Sequence, residues 1–277
     1  MLNRTNLLLS LSIAAAASLA VPHASACQAH GTPPAQTAEA APATDPAAPA
    51  AAPEADAATG WDEILRAFVT SDGGFRYQAL AADAGAMAKL KAFTDKVAAT
   101  DPRSFSREEA LAFYINAYNA TTIAEVLRLW PVTSVLKQDG FFDKTKHLIA
   151  GESLTLNELE TKKIREPYKE PRIHFLVNCA SASCPYLVGE AITAANLEVL
   201  LDRQATEYVT RTTNFPKGKK SFEISSIFDW YKDDFGGAEG VRAFIAAHVT
   251  ADRRDFVSDK ANKVGFFTYD WATNARN

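Results

Sequence analysis

The feature that most constrains the fold is a long stretch, Ala110 to Trp130, that is apolar nearly all the way round a helix. Ser106 with Glu109 three residues later is the pattern of a capping box, and Pro131 supplies the stop. A helix without a broad polar face has to be surrounded by other elements. The sequence therefore predicts a domain built around one buried helix.

The remaining pattern predicts more helices than strands. Helical spacing of apolar residues predicts helices over 61–70, 80–98, 193–210, 226–235 and 239–249. A second capping-box pattern, Thr155 with Glu158, predicts the start of a helix over 155–165. Extended runs predict a hairpin over 146–156 and strands over 172–178, 222–224 and 264–271. Helices and strands do not alternate regularly. We therefore expect an α+β fold: a mostly helical single domain with a small, mainly antiparallel sheet.

The N-terminal quarter differs in composition from the rest. Residues 1–26 have the charged start, apolar stretch and Ala-Ser-Ala site of a secretory signal, which predicts cleavage before Cys27. An N-terminal cysteine at that point also fits acylation of a lipoprotein, although soluble export is slightly preferred. Residues 27–58 are rich in alanine and proline and lack aromatic residues, which predicts a disordered tether. The globular domain is placed at 59–277.

Charge and motifs exclude some functions. Lys and Arg total 29 against 33 Asp and Glu, so the formal net charge is −4 and we expect no nucleic-acid partner. The sequence has no P-loop, dinucleotide fingerprint, Gly-x-Ser-x-Gly or His-Glu-x-x-His motif. No cofactor is therefore expected, and membrane contact is expected only through acylation of Cys27.

The stretch from His174 to Pro185 contains the strongest candidates for chemistry. Pro185 suits the first position of a helix, so Cys184 would cap that helix, and the helix dipole would lower its pKa. His174 would be its base. Three alternatives stay open: Cys179 and Cys184 form a disulfide, they bind zinc with His174, or Cys184 is a catalytic thiol.

Two further groups are candidates for the same site. Asn116 and Asn119 share one face of the buried helix, either as substrate-facing amides or, more simply, as amides that bond neighbouring loops. Glu160 and Arg165 would either orient a histidine or form a surface ion pair.

Several motifs resemble one family. Residues 112–120 (AFYINAYNA), His147, residues 153–160 (SLTLNELE), residues 171–175 (PRIHF), Cys179, residues 183–185 (SCP) and residues 269–274 (YDWATN) resemble the domain of unknown function 547 family. The resemblance extends over about residues 105–274. It implies a bacterial exported member, and its content of Asn, His, Glu and Cys is similar in kind to papain-like or transglutaminase-like thiol enzymes.

These observations lead to two functional hypotheses. In the first, the protein is a periplasmic or cell-envelope thiol-dependent hydrolase or acyl transferase that acts on an envelope amide or ester. Cys184 attacks, His174 moves the proton, and Asn116 or Asn119 stabilises the oxyanion, with Glu160 in the same site. In the second, it is a non-catalytic envelope binding module whose cysteines form a structural disulfide.

Overall fold

The computed structural model places one long helix, α4 (Arg107–Arg128), at the centre of the domain, and most of its 22 residues are buried. The predicted capping box is present at its start. The Ser106 side chain accepts a hydrogen bond from the backbone N–H of Glu109, and the Glu109 carboxylate accepts one from the backbone N–H of Ser106. The prediction of a buried central helix is confirmed.

The structure describes residues 53–277, with side chains from residue 58 onward. The predicted signal peptide and most of the predicted tether lie outside the described residues. Helix α1 begins at Pro53, within the range predicted as tether. No helix of the described part is long and apolar enough to cross a membrane.

Helices account for most of the regular structure. In addition to α4, they are α1 (Pro53–Phe68), α2 (Tyr77–Ala82), α3 (Ala84–Ala99), α5 (Leu156–Leu159), α6 (Glu166–Tyr168), α7 (Leu197–Thr212), α8 (Ile227–Trp230), α9 (Gly237–His248) and α10 (Ala251–Ser258). A π-helical segment (Glu160–Arg165) joins α5 to α6. Shorter 3-10 turns cover Pro102–Ser104, Val135–Lys137 and Pro171–Phe175.

Two small sheets complete the fold within residues 53–277. Strands β1 (His147–Ile149) and β2 (Glu152–Leu154) form the predicted antiparallel hairpin. Strands β3 (Ser221–Ile224) and β4 (Lys263–Phe266) pair in parallel. The prediction of a mostly helical α+β fold is confirmed, with the sheet divided into two separate pairs.

The helices differ from the predictions in three details. The helix predicted over 226–235 is limited to α8 (Ile227–Trp230) and is followed by turns. The helix predicted over 80–98 is divided into α2 and α3, because the Asp83 side chain accepts a hydrogen bond from the Ala86 backbone N–H and so caps a new helix. Helix α10 has no counterpart among the predicted elements. Its sequence is rich in charged residues, so no apolar face predicted it.

The apolar core consists of two clusters. The first is built on the N-terminal helices and includes Trp61 and Ile115. The second surrounds Phe175 and Phe228 and is formed mainly by α7, α8, α9 and β3. Trp271 packs against both clusters. The segment around residue 175 therefore lies where the two halves of the core meet.

Candidate active site

The segment that carries His174 is a 3-10 turn, and the strand predicted over 172–178 is wrong. Pro171 begins the turn, and the Glu170 side chain caps it by accepting a hydrogen bond of 3.0 Å from the Arg172 backbone N–H. A short apolar run is compatible with either a strand or a buried turn, and here the cap formed by the Glu170 side chain favours the turn. The cysteines follow on an irregular segment, residues 176–185, the cysteine loop.

The helix predicted after Cys184 is also absent. Residues 185–193 are irregular, and the Pro185 carbonyl instead accepts a hydrogen bond of 2.7 Å from Asn178 Nδ2, across the loop. Cys184 therefore caps no helix. The helix dipole that was expected to lower the pKa of the Cys184 thiol is therefore absent.

Asparagine side chains give the cysteine loop its shape. Asn119 on α4 donates through Nδ2 to the Leu176 carbonyl at 2.9 Å, and its Oδ1 accepts from the Asn178 backbone N–H at 2.8 Å. Asn178 Oδ1 in turn accepts from the backbone N–H of Ala180, a buried alanine at φ 61°. A left-handed alanine is strained and requires such support from its surroundings.

The C-terminal segment holds the other side of the loop. The Ala182 backbone N–H donates to the Ala272 carbonyl at 2.7 Å, and the Asn274 backbone N–H donates to the Ala180 carbonyl at 3.0 Å. The Asn274 side chain donates to Asn178 and accepts from the Tyr77 hydroxyl. The loop is thus fixed between α4 and residues 270–274.

The two cysteines are free thiols in direct contact. Their Sγ atoms share a hydrogen bond and lie 2.9 Å apart, and the Cys179 backbone N–H donates to Cys184 Sγ at 2.9 Å. Cys184 is buried, whereas Cys179 is partly exposed. Ser181 Oγ lies 3.0 Å from Cys179 Sγ, and the Tyr269 hydroxyl lies 3.5 Å from it.

These surroundings make Cys179 the more acidic thiol. Burial raises the pKa of Cys179, but hydrogen bonds from Cys184, Ser181 and Tyr269 outweigh it and lower the pKa to about 7. Burial raises the pKa of Cys184 well above its ordinary value, and the hydrogen bond with Cys179 raises it further. The geometry therefore favours Cys179, instead of the predicted Cys184, as the nucleophile.

His174 is held by a chain of charged groups. Its Nε2 lies 2.7 Å from Asp234 Oδ2, and Asp234 also accepts hydrogen bonds from Arg165 at 2.7 and 3.1 Å. The hydrogen bond to His174 lowers the pKa of Asp234 well below its usual range. An ionised Asp234 accepts the Nε2 proton, which leaves the His174 Nδ1 lone pair for proton transfer. The Tyr231 ring stacks on the imidazole at 4.0 Å.

A cavity of about 200 Å³ brings these groups together. His174, Cys179 and Cys184 all line it. The other lining residues are Tyr118, Phe142, Asn157, Glu160, Val177, Pro185, Ile227, Trp230, Tyr231, Tyr269 and Trp271. Within residues 53–277, no group of three His, Cys, Asp or Glu side chains is placed to hold a metal ion. The cavity combines a thiol and an imidazole with aromatic walls.

Glu160 and Arg165 do not pair with each other. Glu160 is buried, lines the cavity and shares a hydrogen bond with Tyr231. Arg165, at the other end of the same π-helical segment, pairs with Asp234. The interpretation that one of the two orients a histidine therefore fits Arg165, which acts on His174 through Asp234.

The paired asparagines of α4 do not line this cavity. Asn116 Oδ1 accepts from Trp61 Nε1 at 3.0 Å and from the Ile192 backbone N–H at 3.1 Å, and its Nδ2 donates to the Ile192 carbonyl at 2.6 Å. Asn119 is engaged with the cysteine loop. Both side-chain amides are hydrogen-bonded within the protein. This agrees with the interpretation that they bond neighbouring loops instead of a substrate.

Sequence analysis missed Asp234, Ser181 and Tyr269. Tyr269 was within the family-like motif at residues 269–274, but nothing in the sequence indicated contact with Cys179, 90 positions earlier. Asp234 lies 60 positions from His174, in an ordinary charged stretch. Ser181 and Ser183 both lie between the cysteines, and the sequence does not show which of the two hydroxyls reaches Cys179.

Comparison with known proteins gives one match. Residues 102–209 match the model of the family described as "Protein of unknown function, DUF547". This match covers less than half of the chain and agrees with the resemblance noted in the sequence. It includes α4, the cysteine loop and most of α7. No curated protein and no solved structure matches significantly.

Proposed function

We propose that this protein is a member of the DUF547 family and an exported, thiol-dependent hydrolase or acyl transferase that acts on an amide or ester of the cell envelope. Cys179 is the nucleophile and His174 the proton-transfer group. The observation that carries the proposal is the cavity in which an acidic, partly exposed thiol and a carboxylate-supported imidazole occur together.

The reaction follows from the roles of these groups. His174 takes the thiol proton of Cys179 and becomes an imidazolium. The resulting thiolate attacks the carbonyl carbon of the substrate, so that a C–S bond forms and the carbonyl π electrons move to oxygen. Collapse of this intermediate expels the amine or alcohol, which takes a proton from the His174 imidazolium. A thioester remains on Cys179. Water, deprotonated by His174, or an acceptor amine or alcohol then cleaves the thioester and restores the thiolate.

Asp234 and Arg165 are positioning residues in this scheme. Ionised Asp234 fixes the His174 ring and stabilises the imidazolium that forms during the reaction. Arg165 keeps Asp234 ionised and in place. Asn116 and Asn119 are not proposed as oxyanion donors, since their Nδ2 groups donate to backbone carbonyls of the protein itself.

The second candidate is a non-catalytic envelope module with a Cys179–Cys184 disulfide. Sulfur atoms 2.9 Å apart need to approach by less than 1 Å to reach the roughly 2.05 Å of a disulfide bond. Formation of that bond, a two-electron oxidation that the oxidising environment of the proposed periplasmic location supports, would remove the nucleophile. Counting free thiols in protein purified without reductant separates the two candidates, because the module has neither Cys179 nor Cys184 free.

Export is proposed from residues 1–58 of the sequence. The signal at residues 1–26 would deliver the domain to the periplasm or cell envelope, and the Ala/Pro-rich segment would tether it there. Acylation of Cys27 is the one route to membrane attachment in this proposal.

Hydrolysis of p-nitrophenyl acetate tests the catalytic proposal on the full chain. We expect a burst from acylation of Cys179, followed by steady turnover. Cys179→Ser should abolish both phases, and His174→Ala should slow the steady phase at least ten-fold, since general acid–base catalysis typically contributes about 10²–10⁴-fold. His248→Ala is the matched control, because His248 lies on α9 and does not line the cavity. Equal turnover by wild type and Cys179→Ser would exclude the proposal.

A further inference from the structure

Glu160 is a buried acid in the cavity without an ion-pair partner among the described residues. Only 7% of its surface is exposed. Arg165 interacts with it electrostatically, but the hydrogen bonds and the ion pair of Arg165 are with Asp234. Buried carboxylates are ordinarily paired with a cation, because burial of an isolated charge is costly. The carboxylate, whose hydrogen bond is with the neutral Tyr231 hydroxyl, is therefore suited to a cationic ligand.

The walls of the cavity fit the same kind of ligand. Six aromatic side chains line it: Tyr118, Phe142, Trp230, Tyr231, Tyr269 and Trp271. Aromatic faces attract ammonium groups, and clusters of such rings with a carboxylate are a common way to bind them. No Lys or Arg side chain lines the cavity. Apart from His174 when it is protonated, a cationic group entering the cavity would therefore meet no positively charged side chain in the lining; Arg165 lies over the Tyr231 ring, 4.7 Å from its centroid, and is not part of the lining.

The backbone at Glu160 is also unusual. Glu160 is the first residue of the π-helical segment Glu160–Arg165. Short π-helical segments are rare and occur frequently at functional sites, because the extra residue redirects side chains. Here the segment directs Glu160 to the cavity and Arg165 to Asp234.

We infer that the cavity binds an organic ammonium group of the substrate, with the Glu160 carboxylate as its counter-ion and the aromatic walls around it. The inference rests on the proposed function in that it names the substrate class of the same thiol site. The preferred substrate then carries an ammonium group close to the amide or ester that Cys179 attacks. Substrates with a carboxylate at that position are disfavoured.

The test measures binding separately from catalysis. The full chain carrying Cys179→Ser is titrated with n-butylammonium, with n-butanol as the neutral control and butyrate as the anionic control. The readout is tryptophan fluorescence, since Trp230 and Trp271 line the cavity. We expect n-butylammonium to bind about ten-fold more tightly than either control ligand, the scale of one favourable charge interaction.

Two variants assign the effect to Glu160. Glu160→Gln should weaken n-butylammonium binding about ten-fold and leave n-butanol binding unchanged. Glu158→Gln should change neither, because Glu158 pairs with Lys162 and does not line the cavity, while glutamine preserves its cap on α5. Unchanged n-butanol binding shows that Glu160→Gln still folds with its cavity intact.

Equal binding of n-butylammonium and n-butanol by the Cys179→Ser chain would overturn the inference without any variant at Glu160. Equal weakening by Glu160→Gln and Glu158→Gln would overturn it as well. The result is independent of turnover. Ammonium binding without ester hydrolysis in the wild type would reject the proposed reaction alone, whereas hydrolysis without charge preference would reject the ammonium site alone.

Discussion

The imidazole of His174 and the carboxylate of Asp234, 60 positions apart in the chain, are joined by a hydrogen bond of 2.7 Å. The His174 side chain is almost completely buried, and Asp234 is also bound by Arg165. The pair connects the 3-10 turn before the cysteine loop to the segment that follows α8. It therefore contributes to stability as well as to the proposed site.

The first prediction concerns acid unfolding. The pKa of Asp234 is lowered, so its ionised form stabilises the folded state above the unfolded pKa of about 3.9, and this stabilisation is lost as the pH falls through the lower folded pKa. Asp234→Asn should reduce the free energy of unfolding at neutral pH and flatten its decrease below about pH 4. Urea unfolding from pH 2 to 7 measures both effects.

Asp143→Asn is the control for this series, because Asp143 is exposed and makes no contact with His174. It should keep the acid slope of the wild type. An acid slope in Asp234→Asn as steep as in the wild type would contradict the role given to this carboxylate.

The second prediction concerns thiol reactivity. Under reducing conditions, iodoacetamide should label Cys179 well before Cys184, with a rate that rises with pH and is half-maximal near pH 7, because the thiolate is the reactive form. Cys184→Ala should move this midpoint to higher pH, since it removes a hydrogen bond that lowers the pKa of Cys179. Peptide mass spectrometry gives the two rates. Faster labelling of Cys184 than of Cys179 would contradict this assignment and favour Cys184, the nucleophile predicted from the sequence.

The third prediction concerns the buried amide of Asn116. Asn116→Ala should lower the free energy of unfolding by about 1–3 kcal/mol, because it leaves the Trp61 indole and the Ile192 backbone without their partners. The labelling rate of Cys179 should stay unchanged. Gln78→Ala, at an exposed position on α2, should stay within about 0.5 kcal/mol of the wild type. If Asn116→Ala lost the labelling of Cys179 but kept its stability, Asn116 would have a role in the site and not in packing.

The fourth prediction concerns processing. Intact-mass spectrometry of the exported protein should show a chain that begins at Cys27, because the Ala-Ser-Ala site ends at Ala26. The mass should be that of the unmodified chain if export is soluble. An added acyl mass would establish lipidation, and a start at another residue would contradict the proposed cleavage site.

Sequence patterns correctly predicted the elements that are determined by residues close together in the chain. The capping boxes at Ser106 and Thr155 and the hairpin turn at 150–151 are each encoded within a few residues, and the structure contains all three. The segment around His174 was mispredicted because its apolar residues fit a strand as well as a buried turn. Pro185 suggested a helix, yet its carbonyl is held by Asn178.

The candidate site was predictable in its residue types but not in its roles. His174, Cys179, Cys184 and Glu160 do line one cavity. The difference in acidity between the cysteines depends on Ser181 and Tyr269, and the position of the histidine depends on Asp234. Tyr269 and Asp234 reach the site only through tertiary packing, which spacing along the chain does not show.

The attachment of residues 270–274 to the cysteine loop has a consequence for the order of events during folding. Ala180 and Ala182 obtain their backbone partners from Asn274 and Ala272, about 90 positions later. Contacts between segments so far apart in the chain form slowly, because the entropy of closing a long loop is lost before the contacts stabilise it. The two thiols therefore reach their final positions late in folding, only when these two distant segments have met.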